Sequence, residues 1–264
     1  MISVKICGIT SLEDAQMCVQ AGARALGFVF YGLSPRAISL AAARDICRAV
    51  PANIKKVGVF VNASKESVLE DVRSVGLDMA QLSGDELVTD CQWLTRHGVR
   101  VVKAVRPKTA RDVAKLADYR EHVFAFNIDA FKEGSYGGTG TVAEWALARQ
   151  AKQFERPVIL AGGLNGGNVV SAVRAVDPSA LDVCSGVERE PGKKDAKKLK
   201  GLFEALWRLD EEVRKAGGAP IGGVPASGKI TTGAFSLQQG IAPDSPPPPP
   251  AAPRAAPRPV AVVG

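Results

Sequence analysis

One two-part unit recurs eight times along the chain. A short run of apolar residues is followed by a longer stretch in which apolar residues return every three or four positions. The apolar runs fall at 3–7, 25–30, 56–61, 79–82, 99–105, 123–128, 158–161 and 180–184. Most are apolar throughout rather than alternating, which marks strands buried on both faces, as in a parallel sheet. The stretches at 12–21, 40–50, 65–75, 86–96, 109–116, 142–153, 167–176 and 196–215 read as helices. The last shows its buried face as Leu199, Leu202, Phe203, Leu206 and Leu209. Eight strand–helix units predict an α/β chain closed as a (β/α)8 TIM barrel. No GxGxxG follows the first run, which weighs against an open dinucleotide-binding sheet.

The repeat stops near residue 216. From 217 to 264 the chain is Gly, Pro, Ala and Ser with few large apolar residues, and 11 of the 17 prolines lie there, five of them unbroken at 246–250. Such a segment buries too little apolar surface to offset its ordering entropy. The expected organisation is a catalytic barrel over 1–216 and a disordered, low-complexity tail over 217–264 with polyproline II character. The tail is either a dispensable appendage or a docking ligand for a proline-recognising partner.

The net charge of +7 is spread along the chain, so it suits a small anionic substrate rather than nucleic acid. The cluster Lys193-Lys194-Asp195-Ala196-Lys197-Lys198 reads as the solvated start of the last helix. Met1 leads directly into the first apolar run, so no secretory leader is expected. Five cysteines without paired or metal-ligand spacing then point to a reducing cytoplasm, with no disulfide framework and no metal site. No apolar run approaches the ~18 residues of a membrane span, and neither a nucleic-acid nor a membrane partner is expected. The oligomeric state is left at monomer or homodimer.

In a barrel of this kind, the segments that follow the strands build the active face. Here they carry Cys7-Gly8, Tyr31 to Arg36, Arg106, Asp129, Gly162-Gly163-Leu164-Asn165 and Ser185-Gly186-Val187. The two glycine turns follow the seventh and eighth strands, the second opening a short extra helix. That is the usual place for backbone N–H groups to grip a phosphate, here from Gly162, Gly163, Ser185 and Gly186. Cys7 is either a small buried hydrophobe or a thiolate acting as nucleophile or general base. Lys5 shares its face of the strand and either lowers the thiol pKa or pairs with a carboxylate in the barrel interior. Asp129 is a cap, a salt-bridge partner or a general acid. Asp182, inside the eighth strand, needs a partner if buried and is better placed to orient its neighbours. Arg36 suits bidentate recognition of a carboxylate. His97 and His122 lie off the active face.

Taken in order, these residues resemble a known family. The segments Lys5-Ile6-Cys7-Gly8-Ile9-Thr10, Gly27-Phe28-Val29-Phe30-Tyr31 with Ser34-Pro35-Arg36, and Gly58-Val59-Phe60-Val61-Asn62 are similar to those of phosphoribosylanthranilate isomerases of tryptophan biosynthesis. So are Lys103-Ala104-Val105, Asp129 with Tyr136-Gly137-Gly138-Thr139-Gly140 and Trp145, Gly162-Gly163-Leu164-Asn165, and Asp182 to Glu188 with Pro191-Gly192-Lys193-Lys194-Asp195. The resemblance spans about residues 2–210.

It implies a cofactor-free Amadori rearrangement of N-(5-phosphoribosyl)anthranilate. In that analogy Asp129 protonates the furanose ring oxygen and Cys7 removes the proton from the second sugar carbon. Arg36 holds the anthranilate carboxylate, and the glycine turns hold the phosphate. Ser83 and Asp182 join the substrate-binding set. Where the family commonly reads Gln-Leu-His-Gly, this chain has Gln81-Leu82-Ser83-Gly84, a hydroxyl in place of a ring; Ala143-Glu144 replaces the usual Phe-Asp, and 131–135 lacks the usual proline. The alternatives are another phosphosugar isomerase or epimerase on the same barrel, or a phosphate-binding scaffold whose working part is the tail.

Overall fold

The computed structural model describes residues 1–130, 142–218 and 221. Eight strands close into one parallel barrel in sequence order. They are β1 (Ser3–Ile6), β2 (Ala25–Val29), β3 (Lys55–Phe60), β4 (Met79–Leu82), β5 (Val101–Val105), β6 (Ala125–Asp129), β7 (Val158–Ala161) and β8 (Ala180–Val183). The seam between first and last strand pairs Lys5 with Asp182 and Ile6 with Val183. Alternating with the strands are α1 (Leu12–Ala21), α2 (Leu40–Ala49), α3 (Lys65–Val75), α4 (Val88–Arg96), α5 (Ala110–Ala114), α6 (Val142–Gln150), α7 (Val169–Val176) and α8 (Ala196–Lys215).

Helix starts follow local chemistry. The side chains of Ser11, Ser39, Ser64, Thr109 and Asp195 each accept a backbone N–H of the first turn. Gly22 and Gly76 end α1 and α3 in the left-handed conformation. The expected apolar stripe of α8 is buried as read, with Leu199, Leu202, Phe203, Leu206 and Leu209 against the barrel. The main core lies between the outer strand faces and the helices. A second layer, containing Ala25, Val57, Met79, Val102, Ala125, Ile159 and Ala180, joins alternate residues of the strands. Among the described residues no helix is long and apolar enough to cross a membrane.

Three expectations need correction. Asp129 is the last residue of β6 rather than the residue after it, pairing with Ala161 of β7. Glu86 precedes α4 instead of belonging to it. Its carboxylate accepts the N–H groups of Asn62 and Gly84 and pairs with Lys103 at 2.7 Å, tying the loops after β3 and β4 together.

The basic cluster is not a uniformly solvated face. Beyond a single 3-10 turn at Ser185–Val187, the chain makes an antiparallel hairpin of β9 (Glu188–Glu190) and β10 (Lys193–Lys194). The hairpin reverses at Gly192 and buries Lys194, whose Nζ reaches the Cys7 carbonyl at 2.6 Å and Glu188 at 2.8 Å. A carboxylate and a carbonyl brought in by that reversal compensate the ammonium's lost hydration.

Apolar packing extends to Ile221, past the expected boundary at 216. The Pro-rich tail beyond 221, with its expected disorder and docking role, lies outside the described residues. So do the segment 131–141, with its Tyr136-Gly137-Gly138-Thr139-Gly140 motif, and the side chains of Ala143 and Glu144.

Candidate active site

The loops after the strands enclose a cavity of about 1030 Å³ at the C-terminal end of the barrel. Its lining includes Cys7, Ser83, Asp129, Gly162, Gly163, Asp182, Ser185 and Gly186 from the expected set. The floor is polar. Lys5 donates to Asp182 Oδ2 at 2.8 Å and to Gln81 Oε1 at 3.0 Å. Asn127 Nδ2 bonds Asp182 Oδ2 at 2.6 Å and lies 3.4 Å from Gln81 Oε1. Gln81 in turn donates to Ser83 Oγ at 3.2 Å. Asp182 Oδ1 is buried without a hydrogen-bond partner among the described residues.

Gln81 and Asn127 were missed in the sequence. A signal was present: each floor residue stands two places before a residue at the mouth. Lys5 precedes Cys7, Gln81 precedes Ser83, Asn127 precedes Asp129 and Asp182 precedes Cys184. Side chains two apart share a face of a strand, so a polar residue inside an apolar run marks the layer beneath the site.

Cys7 sits just past β1, and its N–H continues the seam by donating to Val183 at 2.8 Å. A β-carbon added to Gly27 would stand 2.8 Å from its sulfur, so the neighbouring strand leaves room for the thiol. The Cys7 pKa is lowered to about 7 by a hydrogen bond from Cys184, opposed by burial and Asp182 and assisted by Lys5. Burial works against the Lys5 ammonium, but Asp182 and Cys7 outweigh it and hold its pKa above the usual lysine value. The two sequence readings of Lys5 therefore hold together: it is paired inside the barrel and it favours the thiolate.

Asp129 faces the same cavity and accepts Arg106 Nε at 3.0 Å and Nη2 at 2.5 Å. Arg36 does not line the cavity. Its guanidinium grips Glu188 with two donors, Nε at 3.0 Å and Nη2 at 2.6 Å. Burial acts against the Glu188 carboxylate, yet Arg36 and Lys194 hold its pKa below the usual range.

The glycine turns abut. Gly162 and Gly163 both adopt positive φ, 97° and 62°, as the chain turns from β7 toward α7. A β-carbon on Gly186 would stand 1.9 Å from the Leu164 carbonyl oxygen, so only glycine lets the loop after β8 lie on the loop after β7. This places the Gly162-Gly163 and Ser185-Gly186 backbones on one side of the cavity.

Cys7 and Asp129 thus share a cavity with two glycine turns of the type that binds phosphate. The family model described as N-(5'phosphoribosyl)anthranilate (PRA) isomerase matches residues 4–205. A relative from Citrifermentans bemidjiense, named N-(5'-phosphoribosyl)anthranilate isomerase, is 48% identical over 209 residues, covering 79% of this chain and 98% of the relative. The crystal structure of phosphoribosyl anthranilate isomerase from Thermotoga maritima superposes with a TM-score of 0.72 at 41% identity, over 78% of this chain and 98% of that one. A phosphoribosyl anthranilate isomerase in complex with reduced 1-(o-carboxyphenylamino)-1-deoxyribulose 5-phosphate gives a TM-score of 0.69 at 40% identity, with the same coverage. By sequence and by fold, the chain belongs to the phosphoribosylanthranilate isomerase family.

Proposed function

We infer that this protein converts N-(5'-phosphoribosyl)anthranilate to 1-(o-carboxyphenylamino)-1-deoxyribulose 5-phosphate, an internal aldose–ketose isomerisation. The observation that carries this is that Cys7 and Asp129 face one cavity together with two abutting glycine turns. The reaction moves protons within one substrate, so it needs an acid, a base and anchors for two anionic groups.

In this reading the Asp129 carboxyl gives its proton to the furanose oxygen. The C1–O bond breaks and the anthranilate nitrogen forms an imine with C1. The Cys7 thiolate takes the proton from C2, and the electron pair of that C–H bond becomes the C1–C2 double bond of an enolamine. Proton transfer to C1 and loss of the C2 hydroxyl proton give the ketone.

The backbone around Gly162, Gly163, Ser185 and Gly186 receives the phosphate. Ser83 and Asp182, which line the cavity, meet the sugar hydroxyls. Arg36 has donors beyond those engaged by Glu188 and takes the anthranilate carboxylate as an outer partner of that pair. The test is product identity: incubation with freshly made N-(5'-phosphoribosyl)anthranilate should give a species of unchanged mass and new retention time. A chain that leaves the substrate to spontaneous hydrolysis alone would refute the reading.

A further inference from the structure

A second thiol stands at the seam where Cys7 acts. The register that pairs Lys5 with Asp182 and Ile6 with Val183 brings the next residues, Cys7 and Cys184, side by side. Cys184 packs with Tyr31 against the cluster of Cys7, Val29 and Val59. Both cysteines line the cavity. A β-carbon on Gly8 would stand 3.2 Å from Cys184 Sγ, so this thiol, like Cys7, occupies space left by a glycine.

Cys184 has one S–H to donate, and two acceptors compete for it. Glu188 Oε1 lies at 3.8 Å, but that carboxylate already receives Arg36, Lys194 Nζ and the Gly192 N–H. The Cys7 sulfur takes a full negative charge when it serves as base, and hydrogen bonds to charged acceptors are about twice as strong as neutral ones. We propose that Cys184 is a positioning residue for the base, donating its S–H to the Cys7 thiolate and thereby holding that sulfur ionised at the cavity wall. The proposal rests on the reading of Cys7 as the isomerase base.

Lys5 also hydrogen-bonds the Cys7 sulfur, as a smaller influence than Cys184, while its ammonium is shared with Asp182 and Gln81. The remaining groups do not supply this contact. Lys194 meets the Cys7 carbonyl rather than its sulfur, and Arg36 is clamped on Glu188. Asp182 is a like charge that opposes the thiolate, and the Tyr31 phenol packs beside the pair. The Cys184 hydrogen bond is the largest influence bringing Cys7 down to about 7, and the same bond together with burial keeps Cys184 protonated.

The test is the pH dependence of Cys7 alkylation by iodoacetamide, located by mass spectrometry, in the full-length protein and in Cys184→Ala and Cys184→Ser. Cys18, Cys47 and Cys91 should not interfere, because burial raises them to about 12, 11 and 12. The wild-type midpoint should lie near 7. It should rise by about one unit or more in Cys184→Ala and return toward the wild-type value in Cys184→Ser, whose hydroxyl restores a donor. The acid limb of kcat/KM should move with the midpoint. An unchanged midpoint in a folded Cys184→Ala protein would overturn the proposal, as would equal rises in both variants. Alkylation needs no substrate, so shifted midpoints in a protein that never turns over phosphoribosylanthranilate would discard the isomerase reading and retain the thiol pair.

Discussion

Lys5 and Asp182 meet inside the barrel with Nζ 2.8 Å from Oδ2, and the two residues are only 3% and 8% exposed. Each compensates the other's lost hydration, and Gln81 and Asn127 complete the network. Removing one partner of such a pair leaves a buried charge with no counterion. Lys5→Met should therefore cost ~3–5 kcal/mol of stability, read by urea unfolding. The double variant Lys5→Met/Asp182→Leu should lose less than the sum of the single losses, and strict additivity would show that the pair is not coupled.

The same lysine contributes to a pH profile. A base must be unprotonated, so activity should follow the Cys7 thiolate. With the thiol at about 7, kcat/KM should fall as pH drops below that value. In Lys5→Met the limb should lie at higher pH, because a favourable positive charge is gone. A limb centred near the ordinary thiol value of about 8.5 in the wild type would contradict the assignment.

Gly186→Ala tests the phosphate grip. The added methyl would stand 1.9 Å from the Leu164 carbonyl oxygen, so one of the two loops must move. Overpacking of this kind costs ~1–3 kcal/mol. If the moved backbone is the phosphate site, KM should rise about tenfold while kcat changes less, since ~1.4 kcal/mol of binding corresponds to a factor of ten. An unchanged KM in the folded variant would separate this loop from substrate binding.

Much of this architecture could be read in the chain because its signals are local. A barrel strand buried on both faces shows as an unbroken apolar run, and 79–82 and 158–161 coincide with β4 and β7. The caps at Ser11, Ser39 and Ser64 likewise depend on residues within one turn. What escaped reading depends on partners distant in sequence. Asn127 matters because Asp182 lies 2.6 Å away across the barrel, 55 positions later in the chain. Lys194 reads as surface charge because the turn signal Pro191-Gly192 does not reveal that the reversal carries it to Glu188 and the Cys7 carbonyl. Arg36 has the right chemistry for a carboxylate, but composition does not reveal that Glu188 of the same chain already engages part of its guanidinium.

Packing of Ile221 against the core sets where the chain can be cut. Truncation after Ile221 should leave kcat, KM and the thermal midpoint within error of the full-length values. A substantial loss of turnover would assign the Pro-rich segment a part in the enzyme.

The proposed chemistry makes Cys7 the base that isomerises a phosphoribosyl anthranilate and Asp129 the acid. Its most direct measurement is the loss of anthranilate fluorescence from freshly generated substrate, corrected for spontaneous hydrolysis, in wild type, Cys7→Ala and Asp129→Asn. The wild type should turn the substrate over, and kcat should drop by ~10²-fold or more in each variant, the scale of lost general acid–base catalysis. Near-normal turnover in folded Cys7→Ala, or none in the wild type, would contradict it.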